Sequence, residues 1–128
     1  MIEYTVKVYP CGTKEWYLNG KLHREDGPAV EWPSGSRYWY LNGKPHREDG
    51  PSAEYVDGSR EWHLNGKRHR EDGPAVYYAD GRRRWYLNGK EYTEDAWGLM
   101  ILKKKVAAKE LTVAEIEELL GYPVKVVK

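Results

Sequence analysis

Residues 39–51 read Trp39-Tyr40-Leu41-Asn42-Gly43-Lys44-Pro45-His46-Arg47-Glu48-Asp49-Gly50-Pro51. Asn-Gly after an aromatic, aromatic, Leu run is the strongest short-range signal for a two-residue hairpin turn of type I′, which needs positive φ at both central residues. The stretch recurs. Gly12, Gly35, Gly58 and Gly81 stand 23 residues apart, as do Trp16, Trp39, Trp62 and Trp85, and Asn19, Asn42, Asn65 and Asn88. The unit G-x-[KR]-x-W-[YH]-L-N-G-K-x-H-R-E-D-G-P, followed by a short apolar stretch, is complete three times. The fourth copy departs at Glu91-Tyr92-Thr93, and a half-copy over residues 6–12 precedes the first. Modified ends are what a stacked array requires.

Each unit reads as two antiparallel strands, and the chain as a mainly β protein: a single-layer antiparallel repeat sheet over residues 1–95, with a small helical cap over 96–128. A second turn precedes each Trp, as in Pro33-Ser34-Gly35, Asp57-Gly58 and Asp80-Gly81. Glu-Asp-Gly-Pro reads as a bulge or tight bend in the second strand, its Gly supplying positive φ and its Pro removing a donor. The two-residue turn sets the register. Leu41 faces Lys44, Tyr40 faces Pro45, Trp39 faces His46 and Tyr38 faces Arg47. Alternation puts Trp39, Leu41 and His46 on one face, and Tyr38, Tyr40 and Arg47 on the other. Extending the register pairs Glu15 with Arg24 and Glu61 with Arg70, and lays Arg47 on Tyr38 as a cation–π pair. The Trp face is expected to be the more buried, with Val30, Trp32, Ala53, Tyr55, Val76 and Tyr78 adding to it.

Past Asp95 the repeat stops. AWGLMILKKKVAAK reads as a helix opened by Glu94 and Asp95 and closed by Lys103, Lys104 and Lys105, charges that complement its dipole. Thr112-Val113-Ala114-Glu115 is a capping box, Gly121 and Pro123 end a second helix, and residues 124–127 read as a last strand. The expected role of this segment is to cover an open sheet end.

Composition narrows the function classes. The chain has 128 residues, 40% hydrophobic and 32% charged, with 6 Trp, 11 Tyr and no Phe. That aromatic set, each ring carrying a polar atom, suits a thin sheet with wet faces. A net charge of +1 offers no field for DNA or RNA, so no nucleic-acid partner is expected. No apolar run is long enough for a membrane span. The single cysteine excludes an internal disulfide, no leader pattern opens the chain, and a cytoplasmic location is expected.

The repeat resembles the MORN family, whose units are β-hairpins of this length. The shared stretch is W-x-x-N-G-K-x-H, then a Gly, an apolar-aromatic pair and a turn such as Tyr78-Ala79-Asp80-Gly81, over residues 6–93. This chain has Arg-Glu-Asp between the His and Gly-Pro, and a shortened Tyr-x-Gly before the Trp strand. The fuller pattern WYLNGKxHREDGPA is similar to repeats in small phage and large-DNA-virus proteins. The resemblance implies a protein-interaction scaffold, with lipid-headgroup binding attributed to some members, and no catalytic residue.

Read residue by residue, the unit carries little catalytic chemistry. His23, His46 and His69 recur at equivalent positions, about 10 Å apart if each unit adds two strands, too far to share one metal ion. No metal or cofactor is expected, and each His is expected to pack beside its facing Trp. His-Arg-Glu-Asp appears three times, whereas an enzyme needs one assembled site. Arg47 is expected to bond Asp26 or Glu48 and pin the bend. The chain therefore reads as a non-enzymatic binding protein, first of all for a protein partner, with a viral protein that occupies a host protein as the concrete form. The candidate contact residues are Tyr17, Tyr38, Tyr40, His63, Arg68, Arg70, Arg84 and Tyr86, an aromatic and Arg set with hot-spot composition. A small anionic ligand such as a nucleotide is the alternative, drawn from the Arg and Trp repeats and from the Arg cluster in which Lys67, Arg68, Arg70, Arg82, Arg83 and Arg84 gather basic charge. Anionic membrane binding through Lys103 to Lys105 and that Arg cluster is a third. The sequence sets no oligomeric state.

Overall fold

The structure is a computed structural model that describes residues 3–108, 112–121 and 123. It forms two compact units, Met1–Tyr92 and Thr93–Lys128. The first is all β. Its strands are β1 (Tyr4–Val8), β2 (Lys14–Leu18), β3 (Lys21–Leu22), β4 (Val30–Glu31), β5 (Arg37–Tyr38), β6 (Tyr40–Leu41), β7 (Lys44–Pro45), β8 (Ala53–Glu54), β9 (Arg60–Glu61), β10 (His63–Leu64), β11 (Lys67–Arg68), β12 (Val76–Tyr77), β13 (Arg83–Leu87) and β14 (Lys90–Tyr92). An antiparallel ladder runs β1-β2-β4-β5-β8-β9-β12-β13-β14, with β3 paired to β2, and β6-β7 and β10-β11 form hairpin tips.

The turns follow from the local sequence. Asn19, Asn42, Asn65 and Asn88 have φ of 50, 51, 49 and 50°, and the Gly after each is also positive, the type I′ signature. Gly12, Gly35, Gly58 and Gly81 take φ of 93 to 102° and close the second turns, with Gly35 N–H donating to the Trp32 carbonyl at 2.9 Å.

The hairpin register holds from Leu41 opposite Lys44 to Tyr40 opposite Pro45, and the His46 N–H donates to the Trp39 carbonyl at 3.1 Å. There the expected register ends. Tyr38 pairs with Val30 and Ala53 rather than with Arg47. Glu15 pairs with Lys7 and Val30, not Arg24, and Glu61 with Ala53 and Val76, not Arg70. The reason is that Glu-Asp-Gly-Pro is a wide excursion rather than a bulge. Residues 47–51 swing out opposite Trp39, whose carbonyl holds one end through His46 and whose N–H holds the other through the Ser52 carbonyl at 2.7 Å. Trp16 and Trp62 hold their bends in the same way.

The Arg after each His leaves the Tyr face and stacks on its own Trp. Arg24, Arg47 and Arg70 stand 3.9, 3.9 and 3.8 Å from the Trp16, Trp39 and Trp62 rings. The expected Arg47 over Tyr38 pair is therefore absent. Arg47 bonds Asp49 at 3.0 Å and the Pro51 carbonyl at 3.1 Å, both in its own bend, not Asp26 or Glu48. Gly27, Gly50 and Gly73 are not at positive φ. A Cβ on Gly27, Gly50 or Gly73 would stand 3.1, 3.0 or 2.7 Å from the Cζ of Arg24, Arg47 or Arg70, so a side chain there would displace the stacked guanidinium.

Successive units are stitched by the His. Nδ1 of His23, His46 and His69 accepts the backbone N–H of Asn42, Asn65 and Asn88, the turn of the following unit, at 3.0, 2.9 and 2.9 Å. Nε2 of His23 and His69 stands 3.4 and 3.2 Å from Glu25 and Glu71. Asn19 has no preceding His, and its N–H donates instead to the Glu3 carbonyl at 3.1 Å. The half-copy thus starts the array by replacing a side-chain acceptor with a backbone one.

The buried residues also correct the expected faces. Ala29, Val30, Ala53, Ala75, Val76 and Tyr86 are all at most 7% exposed. Val76 packs with Tyr86 and Tyr78, and the Tyr38 and Tyr55 rings meet edge-on at 5.6 Å. Val30, Ala53, Tyr55, Val76 and Tyr78 thus belong with the Tyr side, while Trp32 is 47% exposed. Trp16, Trp39 and Trp62 are half-buried, each with a guanidinium group laid on its ring.

In the second unit, α1 (Glu94–Ala107) is capped by Thr93, which accepts the Ala96 N–H, with Glu94 and Asp95 in its first turn and Lys104 and Lys105 in its last. Thr112 caps α2 (Val113–Leu120) as expected, its hydroxyl accepting the Glu115 N–H at 3.2 Å, but the Glu115 carboxylate accepts from that hydroxyl at 3.0 Å rather than from the Thr112 N–H of a full box, and Gly121 ends the helix at φ 78°. The expected strand over 124–127 lies outside the described residues.

Candidate functional site

The repeat serves as its own control: a side chain needed for the architecture recurs at every unit. On the Trp side it does. Trp, Leu, His, Arg, Glu, Asp, Gly and Pro are the same in each complete unit. The grooves there recur as well, one of about 570 Å³ lined by Arg24, Asp26, Trp39, His46 and Arg47, the next of about 540 Å³ lined by Arg47, Asp49, Trp62, His69 and Arg70. They are products of stacking.

The Tyr side differs from unit to unit. One row across the ladder, each residue opposite the next, runs Glu15, Val30, Tyr38, Ala53, Glu61, Val76, Arg84. A second, over the hairpin tips, pairs Tyr17 with Leu22, Tyr40 with Pro45, His63 with Arg68 and Tyr86 with Glu91. At the junction of the second and third units these rows border a cavity of about 420 Å³ lined by Tyr38, Tyr40, Pro45, Ser52, Ala53, Tyr55, Glu61, His63 and Arg68. A smaller one of about 260 Å³ shares Tyr55, Glu61 and Arg68 with it.

Four of the sequence-selected residues, Tyr38, Tyr40, His63 and Arg68, therefore meet in one cavity. Arg68 also donates to the Tyr86 hydroxyl at 3.2 Å, and its guanidinium lies 5.3 Å from the Tyr86 ring, with that of Arg84 at 5.5 Å. Tyr86 is 7% exposed, so it buttresses Arg68 more than it presents a surface. Tyr17 lies on the same side near the N-terminal end and donates to Glu15 at 2.9 Å. Arg70 is on the opposite side, against Trp62. Sequence reasoning passed over Pro45, Ser52, Tyr55 and Glu61. Pro45 and Ser52 carry a legible signal, since they stand where the other units have Leu22 or Arg68, and Ala29 or Ala75.

Charges in the cavity are matched internally. Glu61 Oε1 accepts from Arg68 Nε at 3.1 Å and Nη2 at 2.9 Å, and Glu61 Oε2 accepts the Tyr55 hydroxyl. Burial, then the Glu61 bond, pushes the Tyr55 phenol above its ordinary range. Burial also raises the Tyr40 phenol, and burial lowers the His63 imidazole, keeping it neutral at pH 7. Ser52 donates to the Glu61 carbonyl at 3.1 Å, and its oxygen lies 2.7 Å from His63 Nδ1. With its one proton placed on Glu61, Ser52 accepts from His63 Nδ1–H.

The basic cluster is largely neutralised too. Arg82 pairs with Asp80, Arg84 with Glu91 and Arg70 with Asp72, each at 2.8 Å. Nδ1 of each stitching His is engaged, as is Nε2 of His23 and His69, and among the described residues no three His, Cys, Asp or Glu side chains come together as a metal site. No described helix is long and apolar enough to cross a membrane.

Comparison of the chain with protein-family models, with curated proteins and with solved structures gives no match.

Proposed function

We propose that this is a non-enzymatic, MORN-like protein-binding module that contacts its partner through the Tyr side of the second to fourth units. One observation carries the reading: the residues that vary between otherwise identical units gather on that side and border a cavity. Variation where the architecture does not demand identity marks the surface that individualises a repeat protein. The exposed part of the set is rich in Tyr and Arg, the composition of interface hot spots. The similarity of the repeat to phage and large-DNA-virus proteins makes a host protein the proposed partner class.

Two features weigh against other readings. Arg68 and Arg84 are held by Glu61 and Glu91, so an anionic nucleotide would have to compete with carboxylates already in place. Ser52 is 1% exposed, so its hydroxyl cannot reach a substrate carbonyl despite its His neighbour.

The test is affinity capture with immobilised wild-type protein, Tyr40→Ala, Arg84→Ala and the Trp-side control Lys14→Ala. Loss with Tyr40→Ala and retention with Lys14→Ala is the expected result. Unchanged capture by both Tyr40→Ala and Arg84→Ala rejects the face. A thermal-shift screen with nucleotides checks the anionic alternative, since a ligand at a hundredfold excess over its Kd adds about 2.7 kcal/mol.

A further inference from the structure

Of the residues lining the cavity at the junction of the second and third units, three are smaller than their counterparts in other units, while Ser52 and Arg68 are larger than Ala29 and Leu22. The position held by Val30 and Val76 is Ala53. The position held by Tyr17, Tyr40 and Tyr86 is His63, and that of Leu22 is Pro45. All three smaller residues line the one cavity. Elsewhere the repeat carries at these three positions the larger residues that would narrow the space.

We infer that this cavity is an anchor pocket for one uncharged aromatic side chain of the partner, a tyrosine or tryptophan. The inference rests on the Tyr side being the binding face. Its walls are the rings of Tyr38, Tyr40 and Tyr55, with Pro45 and Ala53 between them. Tyr38 and Tyr55 already meet edge to face, the packing an added ring extends. At about 420 Å³ the space suits a single ring-bearing side chain better than a segment of chain.

Charge decides against the other occupants. Both Glu61 oxygens are engaged, by Arg68 and by Tyr55, so no free carboxylate awaits a lysine or arginine. The same pairing leaves Arg68 no unmatched charge for a carboxylate or phosphate, and His63 is neutral. What remains is polar but uncharged. The hydroxyls of Tyr38 and Tyr40 have no hydrogen-bond partner among the described residues. Either can accept from an indole N–H or a phenol O–H, the handle that tyrosine and tryptophan bring to an interface.

The double variant Ala53→Val/His63→Tyr restores the repeat's own residues. It is expected to fold with a Tm at or above that of the wild type, which separates lost binding from lost structure. The probes are N-acetyl-tyrosinamide and N-acetyl-tryptophanamide, titrated at millimolar concentration and followed by amide NMR shifts. N-acetyl-leucinamide, N-acetyl-argininamide and adenosine serve as competitors in chemistry. Saturable shifts at residues 38–40, 53–55 and 61–63 with the two ring probes are expected, weakened about tenfold to a hundredfold in the double variant. Equal binding of the leucine or arginine probe, tighter binding of adenosine, no saturable shift, or undiminished binding by the double variant each overturns the inference. The face and the pocket fail separately. If Tyr40→Ala loses partner capture while Ala53→Val/His63→Tyr keeps it, the face stands and the pocket falls. If both keep capture, the face itself is wrong.

Discussion

Along the Trp side the same contact is made three times: Arg24, Arg47 and Arg70 lie 3.8 to 3.9 Å above Trp16, Trp39 and Trp62. Along the Tyr side the row Glu15, Tyr38, Glu61, Arg84 changes residue from each unit to the next, alternating with the small residues Val30, Ala53 and Val76. The two sides belong to one sheet, so the difference is one of duty. The Trp side carries the bend, the stitch and the stack, each of which uses a particular atom: a His nitrogen, a guanidinium plane, a missing Cβ. Substitution there breaks a bond that each complete unit makes. The Tyr side has to fill space and match charge, and many combinations do that.

The largest effect that could break this contrast is on the Trp side. Trp39→Ala should cost about 2–3 kcal/mol in urea unfolding, below the range for a fully buried Trp because Trp39 is half-buried. A loss no greater than that of Tyr38→Ala would erase the distinction between the sides. Next comes His69→Ala, which removes the acceptor of the Asn88 N–H and should cost about 1–2 kcal/mol. His69→Gln, with a side-chain oxygen within reach of the same N–H, should recover part of it.

A subtler handle is pH. Burial holds His63 below its ordinary value of 6.5. Between the folded and unfolded values, the unfolded chain takes up a proton that the folded chain refuses. Stability is therefore highest above 6.5 and declines as pH falls through the window beneath it. His63→Tyr should flatten the fall in urea midpoint between about pH 7.5 and pH 5. An unchanged slope would place the titration elsewhere. The smallest effect is expected at Arg84, whose pair with Glu91 is solvent-exposed: Arg84→Ala should leave the urea midpoint where it is.

Much of this was legible from residues near one another in the chain. Asn42-Gly43 announced its turn and the first pairs on either side of it. Alternation, counted outward from that turn, then failed at Arg47, because the count was carried through Glu48-Asp49-Gly50-Pro51 as if they were strand. That error moved Arg47 and Arg70 to the wrong side and placed Val30, Ala53 and Val76 on the wrong side too. Gly50 was read as a backbone device, when its lack of a side chain makes room for a guanidinium. The His row was seen, but its partner is a backbone N–H 19 residues onward, which no local pattern names. The cavity is foreshadowed where the copies of the repeat disagree, at Pro45, Ser52, Ala53, His63 and Arg68.

By itself the chain determined the unit length, both turns, the antiparallel hairpin and the two helix caps, since each rests on φ preferences and hydrogen bonds within a few residues. Stacking alone decided which face is packed, what each His holds, and that Tyr38, Tyr40, Ser52, Glu61, His63 and Arg68 border one space. Those contacts join residues from neighbouring units, and their geometry follows from how far the bend at residues 47–51 swings out. That excursion is set by an Arg laid on a Trp and two hydrogen bonds to one peptide, a tertiary arrangement rather than a local preference.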